Sequence, residues 1–240
     1  MKNQHLEKTI AVIPARGGSK RIPKKNIRAF KGIPAISRTI QFVLSTGMFS
    51  EIIVSTDDQE IKEISLEAGA TFVVNRSKEL AGDFVPTVPV ISDALQRFDA
   101  QLSRDSNVCC FYPVNPFLEI SNLIKGLELL RENRNINYVN PVVTFSYPIE
   151  RALQMDSDGV LKMDNSKHIL TRSQDLREFV HDAGQWYWGR AETWLLEAPL
   201  LLNSIGVNVP RWVSQDIDTI EDWHYAELLY GLLESIHHGS

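Results

Sequence analysis

Three groups of residues have the types and spacing to do chemistry. The first is residues 14–27, Pro-Ala-Arg-Gly-Gly-Ser-Lys-Arg-Ile-Pro-Lys-Lys-Asn-Ile, in which two glycines and five basic side chains follow directly on an apolar run. Gly17 and Gly18 let the backbone approach a phosphate, and Arg16, Lys20 and Lys25 would neutralise a triphosphate and the pyrophosphate it releases. The loop matches neither GxxxxGK[ST] nor GxGxxG, so neither a P-loop NTPase nor a dinucleotide dehydrogenase follows. Read alone, a short Lys/Arg cluster is equally a solvated turn.

The second group is Asp216 and Asp218 in Ser-Gln-Asp-Ile-Asp-Thr. Residues two apart on an extended segment share a face, so both carboxylates would reach one divalent cation such as Mg²⁺. Asp218, or Thr219 beside it, is also placed to cap a helix opening near Ile220. The third group lies in residues 171–188, where Thr-Arg-Ser-Gln-Asp is followed by His-Asp-Ala-Gly-Gln-Trp-Tyr-Trp. An arginine grips a carboxylate in bidentate fashion, and aromatic faces with amide and carboxylate neighbours suit a sugar bearing acetamido and hydroxyl groups. Arg172, His181, Asp182, Gln185 and Tyr187 are therefore the candidate sugar contacts. The plainer reading of that strand puts Trp186 and Trp188 in the core with Tyr187 facing out, and makes His181 an ordinary surface or core residue.

The elements that must position these groups alternate. Residues 9–14 (TIAVIP) read as a buried strand, rich in β-branched residues and too short for a helix. After the basic loop, residues 34–45 place Ile36, Ile40, Val43 and Leu44 at helical spacing, with Pro34 suited to the first turn and Gly47 past the end. The rhythm continues through strand 51–55, helix 59–68 closed by Gly69, strand 71–74, helix 88–98, strand 108–112 and helix 119–131. Such alternation predicts an α/β fold with a largely parallel sheet and helices on both faces. In such sheets ligands sit outside the carboxyl ends of the strands, where the basic loop begins. Residues 138–187 change to short strand-like pieces without a long helix, a β-rich excursion from the sheet. A strand over 205–209 and a helix over 220–236, opened by Thr219, close the chain.

At 240 residues, 43% of them hydrophobic, the chain is long enough to bury one large core, and it reads as one domain over 1–240. With 25 basic against 30 acidic residues the net charge is -5, which argues against a broad nucleic-acid footprint and leaves any anion to local basic residues. The two cysteines, Cys109 and Cys110, are adjacent within an apolar run, so neither a disulfide framework nor a CxxC metal site is expected; they read as core thiols of a reduced, cytoplasmic protein. The amino terminus, MKNQHLEKT, lacks a signal-peptide profile, and no run approaches a membrane span. The closing His-His-Gly-Ser is assigned no role.

Residues 15–26, ARGGSKRIPKKN, resemble the ARGGSKxIPxKN signature of the cytidylyltransferases that activate sialic-acid-like sugars, the acylneuraminate cytidylyltransferase or CMP-sialic acid synthetase family. By that resemblance the backbone near Ala15, with Arg16 and Asn26, would hold the cytidine, and Gly18, Ser19, Lys20 and Lys25 the phosphates. The family often has Gly where Arg21 stands. Arg76 to Asp83 (RSKELAGD) and Thr87 resemble the RPxELAxD segment that borders the nucleotide, and the Asp216/Asp218 pair sits where the family carries its metal-binding DxD. The family's LQPTSPLR is here Phe-Tyr-Pro-Val-Asn-Pro-Phe-Leu, with Tyr112 for the glutamine and Leu118 for the arginine. The strings TRSQDL, HDAGQWYWG and YPIERA resemble the branch of the family that acts on pseudaminic acid, and the similarity runs from about Ile10 to the final helix.

The resemblance implies a Rossmann-like, GT-A-like nucleotidyltransferase sandwich with residues 140–188 as a β-rich sugar-binding and dimerisation subregion. It further implies Mg²⁺, CTP and an acidic nine-carbon sugar as ligands, and a homodimer. Legionaminic or N-acetylneuraminic acid remains the alternative sugar. A nucleotide sensor without turnover is the alternative of another class.

Overall fold

The structure, a computed structural model, describes residues 8–99 and 102–238. Most of the polar amino-terminal run and the closing Gly239 and Ser240 lie outside the described residues. In chain order the first half comprises β1 (Thr9–Pro14), the hairpin β2 (Ala29–Phe30) and β3 (Ile33–Pro34), α1 (Ala35–Ser45), β4 (Glu51–Thr56), α2 (Gln59–Glu67) and β5 (Phe72–Asn75). There follow α3 (Thr87–Phe98), β6 (Asn107–Phe111), α4 (Ile120–Glu132) and β7 (Tyr138–Thr144). The last part holds the hairpin β8 (Leu153–Met155) and β9 (Leu161–Met163), then β10 (Val180–Asp182), β11 (Trp186–Arg190), α5 (Ala191–Leu195), β12 (Ser204–Asn208) and α6 (Ile220–His238).

The main sheet runs β10-β7-β11-β6-β1-β4-β5, with β12 also paired to β7. Pairing of β1 with β4 and β6, of β4 with β5 and of β12 with β7 is parallel, whereas β11 lies antiparallel between β6 and β7. Central strands here are covered on both faces, which is why β1 reads as an unbroken apolar run. Ala11 and Ile13 enter one core with Ile36, Ile40, Leu123 and Trp186, while Ile10 and Val12 enter the other with Ile91, Leu95 and Trp194.

The predicted strands and helices of the first half lie within about a residue of those observed. Gly69 ends the turn after α2 at φ +107, a left-handed backbone that demands glycine, while the exposed Leu44 side chain nearby could give way to a Cβ. Gly126, inside α4, is required by space instead, since a Cβ there would meet the Trp186 ring at 2.5 Å.

Two readings are corrected. Tyr187 does not face out: it is 1% exposed and belongs to the core on the opposite face from Trp186 and Trp188. Strand β11 is central rather than half-buried, so alternation along it divides two cores instead of core from water. Nor does the whole β-rich stretch leave the sheet. Strands β7, β10 and β11 are integral to it, and only residues 145–179, with the hairpin of β8 and β9, project as an arm. Both cysteines are buried and free, as expected, and burial pushes both thiols up.

Candidate active site

The carboxyl ends of β1 and β6 open onto a cleft of about 440 Å³. One wall is the basic loop. Its shape is set by four interactions: Ala15 N donates to Ser55 O at 2.9 Å, Asn26 Nδ2 donates to Arg16 O at 2.8 Å, Ile36 N donates to Asn26 O at 2.9 Å, and Ile22 is buried beneath. Asn26 thus ties the loop to itself and to α1 while its side chain lines the cleft. The two glycines serve different ends, and neither adopts a left-handed φ. Gly17 N donates to Asp57 Oδ1 at 2.9 Å, and a Cβ on Gly17 would lie 2.7 Å from Asp58 Oδ2; Gly18 has nothing within 4 Å of such a Cβ and is open to an incoming group.

The opposite wall holds Arg76, Thr87 and Tyr112. Arg76 is 8% exposed; its Nη2 donates to Ser55 O at 2.7 Å and its Nε to Ser55 Oγ at 3.2 Å. Burial pulls its pKa below the ordinary arginine value, with Asp57 opposing the shift. A guanidinium held this way by neutral oxygens offers its charge to an anion in the cleft.

Residues 215–218 close the third side. Ile217 is buried in the core at 2% exposure, which turns its neighbours Asp216 and Asp218 to the same, cleft-facing side. The capping alternative resolves in favour of Thr219. Asp222 N donates to Thr219 Oγ1 at 3.2 Å and Thr219 N donates to Asp222 Oδ2 at 2.7 Å, a reciprocal cap that leaves the Asp218 carboxylate free of the helix. Asp218 instead pairs with Arg21 at 2.7 Å and Lys25 at 3.4 Å. The cleft walls strip hydration from Asp216 and, together with the Asp218 charge, raise its pKa. A carboxylate pair so destabilised suits a divalent cation. No cluster of three or more acidic, His or Cys side chains forms among the described residues, so the rest of a Mg²⁺ shell would come from phosphate oxygens and water.

Of the residues singled out in the sequence, Arg16, Ser19, Lys20, Lys25, Asn26, Arg76, Thr87, Asp216 and Asp218 face this one cleft. Ala15 and Gly18 shape the loop without lining it. Asp83 stands outside the lining and pairs with both Lys20, at 2.5 Å, and Arg16, which hold its pKa down.

The five candidate sugar contacts do not line the cleft within this chain, although Gly184, between Asp182 and Gln185 in the sequence, does. Arg172 and His181 are exposed, the latter with its ring 4.9 Å from that of Phe145. Gln185 is buried and donates to Val213 O. Tyr187 donates to Asp182, whose other oxygen accepts from Gly184 N at 3.1 Å. Sequence reasoning noted Tyr112 and Arg21 only as departures from the family pattern and gave them no role, yet both line the cleft. Tyr112 directly follows the end of a parallel strand, and that position alone was a signal.

A mixed α/β sheet with a basic loop at β1, a buried arginine opposite and paired aspartates before the last helix defines a nucleotidyltransferase. Two solved structures share the fold: CMP:2-keto-3-deoxy-manno-octonic acid synthetase complexed with CTP (TM-score 0.66, 15% identity, 94% of this chain and 99% of that one) and 4-diphosphocytidyl-2C-methyl-D-erythritol synthase from Anaerococcus prevotii (TM-score 0.57, 16% identity, 92% and 97%).

Residues 10–188 match the cytidylyltransferase family model, and the chain belongs to that family. Among curated relatives, it is 38% identical over 93% of its length to the pseudaminic acid cytidylyltransferase of Campylobacter jejuni, covering 96% of that protein. It is 32% identical over 88% of its length to the Helicobacter pylori pseudaminic acid cytidylyltransferase and UDP-2,4-diacetamido-2,4,6-trideoxy-beta-L-altropyranose hydrolase, covering 40% of it. It is 29% identical over 93% of its length to the CMP-N,N'-diacetyllegionaminic acid synthase of Legionella pneumophila, covering 96% of it.

Proposed function

We propose that this chain transfers CMP from CTP to pseudaminic acid, releasing pyrophosphate. The observation that carries the reading is near-complete alignment with the Campylobacter jejuni enzyme, 38% identical over 93% of one chain and 96% of the other. The cleft's inventory of charges agrees with it.

In this reading the anomeric hydroxyl attacks the α-phosphorus in line; a bond from that oxygen to phosphorus forms as the bond to the bridging oxygen breaks. The hydroxyl proton goes to solvent and the electron pair leaves with pyrophosphate. Lys20, Arg16 and Lys25 neutralise the triphosphate, with Arg21 joining them from the same loop, and Arg76 holds the nucleotide from the other wall. Phosphate oxygens would displace Asp83 from Arg16 and Lys20, and Asp218 from Lys25. Positioning and charge neutralisation are what transfer at phosphorus requires of a protein. Asp216 and Asp218 would hold Mg²⁺, which when bound orients the α-phosphate and offsets charge on the leaving group.

The arm is assigned to a homodimer, completing the sugar site of a neighbouring copy. Its exposed apolar side chains support this, among them Leu170 at 93%, Met155 at 71% and Val160 at 63% exposure. Two buried free thiols suit a reducing, cytoplasmic setting, and no described helix is long and apolar enough to cross a membrane.

Pyrophosphate release from CTP and Mg²⁺ should be measured with pseudaminic, N-acetylneuraminic and legionaminic acids at equal concentration. Pseudaminic acid is expected to support the fastest release. A different winner keeps the nucleotide chemistry and overturns the sugar; release with none favours a nucleotide-binding sensor.

A further inference from the structure

Asp83 and Asp218 each hold two cations of the basic loop, Asp83 those of Arg16 and Lys20, Asp218 those of Arg21 and Lys25. The second bridge falls on a carboxylate that the reaction above gives to a metal. Arg21 Nη1 lies 2.7 Å from Asp218 Oδ2 and Lys25 Nζ lies 3.4 Å from Asp218 Oδ1, so each oxygen faces a different loop cation. The backbone holds the carboxylate in this place, because Asp218 N donates to Asp222 Oδ2 at 3.1 Å and Ile217 is buried beside it. Asp216, on the same face, forms no ion pair among the described residues.

The two aspartates are therefore unequally open to a cation. Asp216 offers its carboxylate to the cleft, whereas Asp218 has one oxygen taken by an arginine at hydrogen-bonding distance. A divalent cation at the pair would also stand close to the Arg21 charge and be repelled by it. For both carboxylates to reach one cation, Arg21 must leave. Its side chain is 67% exposed, and an exposed ion pair is held weakly, so a stronger anion draws the guanidinium away. A triphosphate in the cleft is such an anion: Lys20, Arg21 and Lys25 line the cleft together, and a phosphate takes a guanidinium in bidentate fashion.

We propose that Arg21 is a positioning residue that keeps Asp218 from divalent cations until a nucleoside triphosphate draws it off, so that metal and nucleotide bind as coupled ligands. With the triphosphate bound, Arg21 and Lys25 turn to the phosphates and both aspartates face the same space. By linkage, the metal tightens the nucleotide by the same factor as the nucleotide tightens the metal. Lys24 serves as the internal contrast, since it belongs to the same loop but pairs with Glu60 instead of Asp218. The inference rests on the assignment of Asp216 and Asp218 to a divalent cation and is independent of which sugar is the acceptor.

Mn²⁺ is the probe, its binding to the whole chain followed by electron paramagnetic resonance of the free ion, first without nucleotide and then with CTP against a blank of CTP alone. Arg21→Gln keeps most of the side chain's length and removes its charge. Without CTP it is expected to bind Mn²⁺ about tenfold more tightly than wild type, a coupling of ordinary size. The gain should vanish when Arg21→Gln is combined with Asp218→Asn. It should be absent from Lys24→Gln, which removes a positive charge from the loop but not from Asp218.

Equal Mn²⁺ affinity in wild type and Arg21→Gln overturns the proposal. So does a gain that survives Asp218→Asn or appears equally in Lys24→Gln, since either is a general effect of charge. If Asp218→Asn leaves Mn²⁺ binding with CTP unchanged, the metal assignment falls and takes this inference with it. If Asp218→Asn weakens that binding while Arg21→Gln matches wild type without CTP, the assignment stands and only the inference falls.

Discussion

Charges in the cleft are paired internally in a way that a nucleotide would undo. Arg16 and Lys20 rest on Asp83, and Arg21 and Lys25 on Asp218, all of them at least partly exposed pairs worth little to stability. Their consequence is functional: Asp83 competes with phosphate for the same two cations. Asp83→Ala is expected to tighten CTP binding severalfold by calorimetry with the melting temperature unchanged, and looser binding would make Asp83 a contact rather than a competitor. Asp218→Asn keeps the shape of the segment and removes one of two carboxylates. Single-turnover rate should fall about 100-fold or more while CTP affinity changes far less, and near-normal turnover would take Asp218 out of the chemistry. At this scale the loop and the aspartates were legible in the sequence because contiguous residues carry them. The pairing of Asp83 with Lys20 was not, since it joins segments sixty-three residues apart that only the sheet brings together.

Element boundaries followed from local signals wherever a helix packs by one face. Helix α2 begins where Asp58 accepts from Ile61 N at 3.0 Å, and α6 begins at the reciprocal Thr219 and Asp222 cap. Thr219→Ala should cost about 1 kcal/mol by denaturant titration, and because α6 follows directly on Asp218 it should also slow turnover. An unchanged midpoint would mean that the helix is held by its packing alone. Helix α4 shows what periodicity misses. Gly126 is a poor helix former, yet Trp186 and Trp188 press so near that no side chain fits. Gly126→Ala, favourable by propensity, is expected to lower Tm by several degrees through overpacking that costs about 1–3 kcal/mol. A rise in Tm would show that the tryptophans yield.

For the whole molecule, the arm of residues 145–179 is the part least explained by a single chain, given its row of exposed apolar residues. Sedimentation at assay concentration is expected to give the mass of two chains, and a single-chain mass would remove the arm from a neighbour's site. The sequence by itself determined the α/β alternation, the basic loop after β1, the aspartate pair and the core cysteines, because each depends on residues close in the chain and on periods of two or 3.6. Tertiary structure alone decided that β7, β10 and β11 return to the sheet, that Tyr187 is buried, and that Tyr112 and Thr87 meet on one wall of the cleft. The physical reason is that alternation tells which residues share a face but not whether that face meets water. Coverage of a face is set by strands and helices far away in the chain.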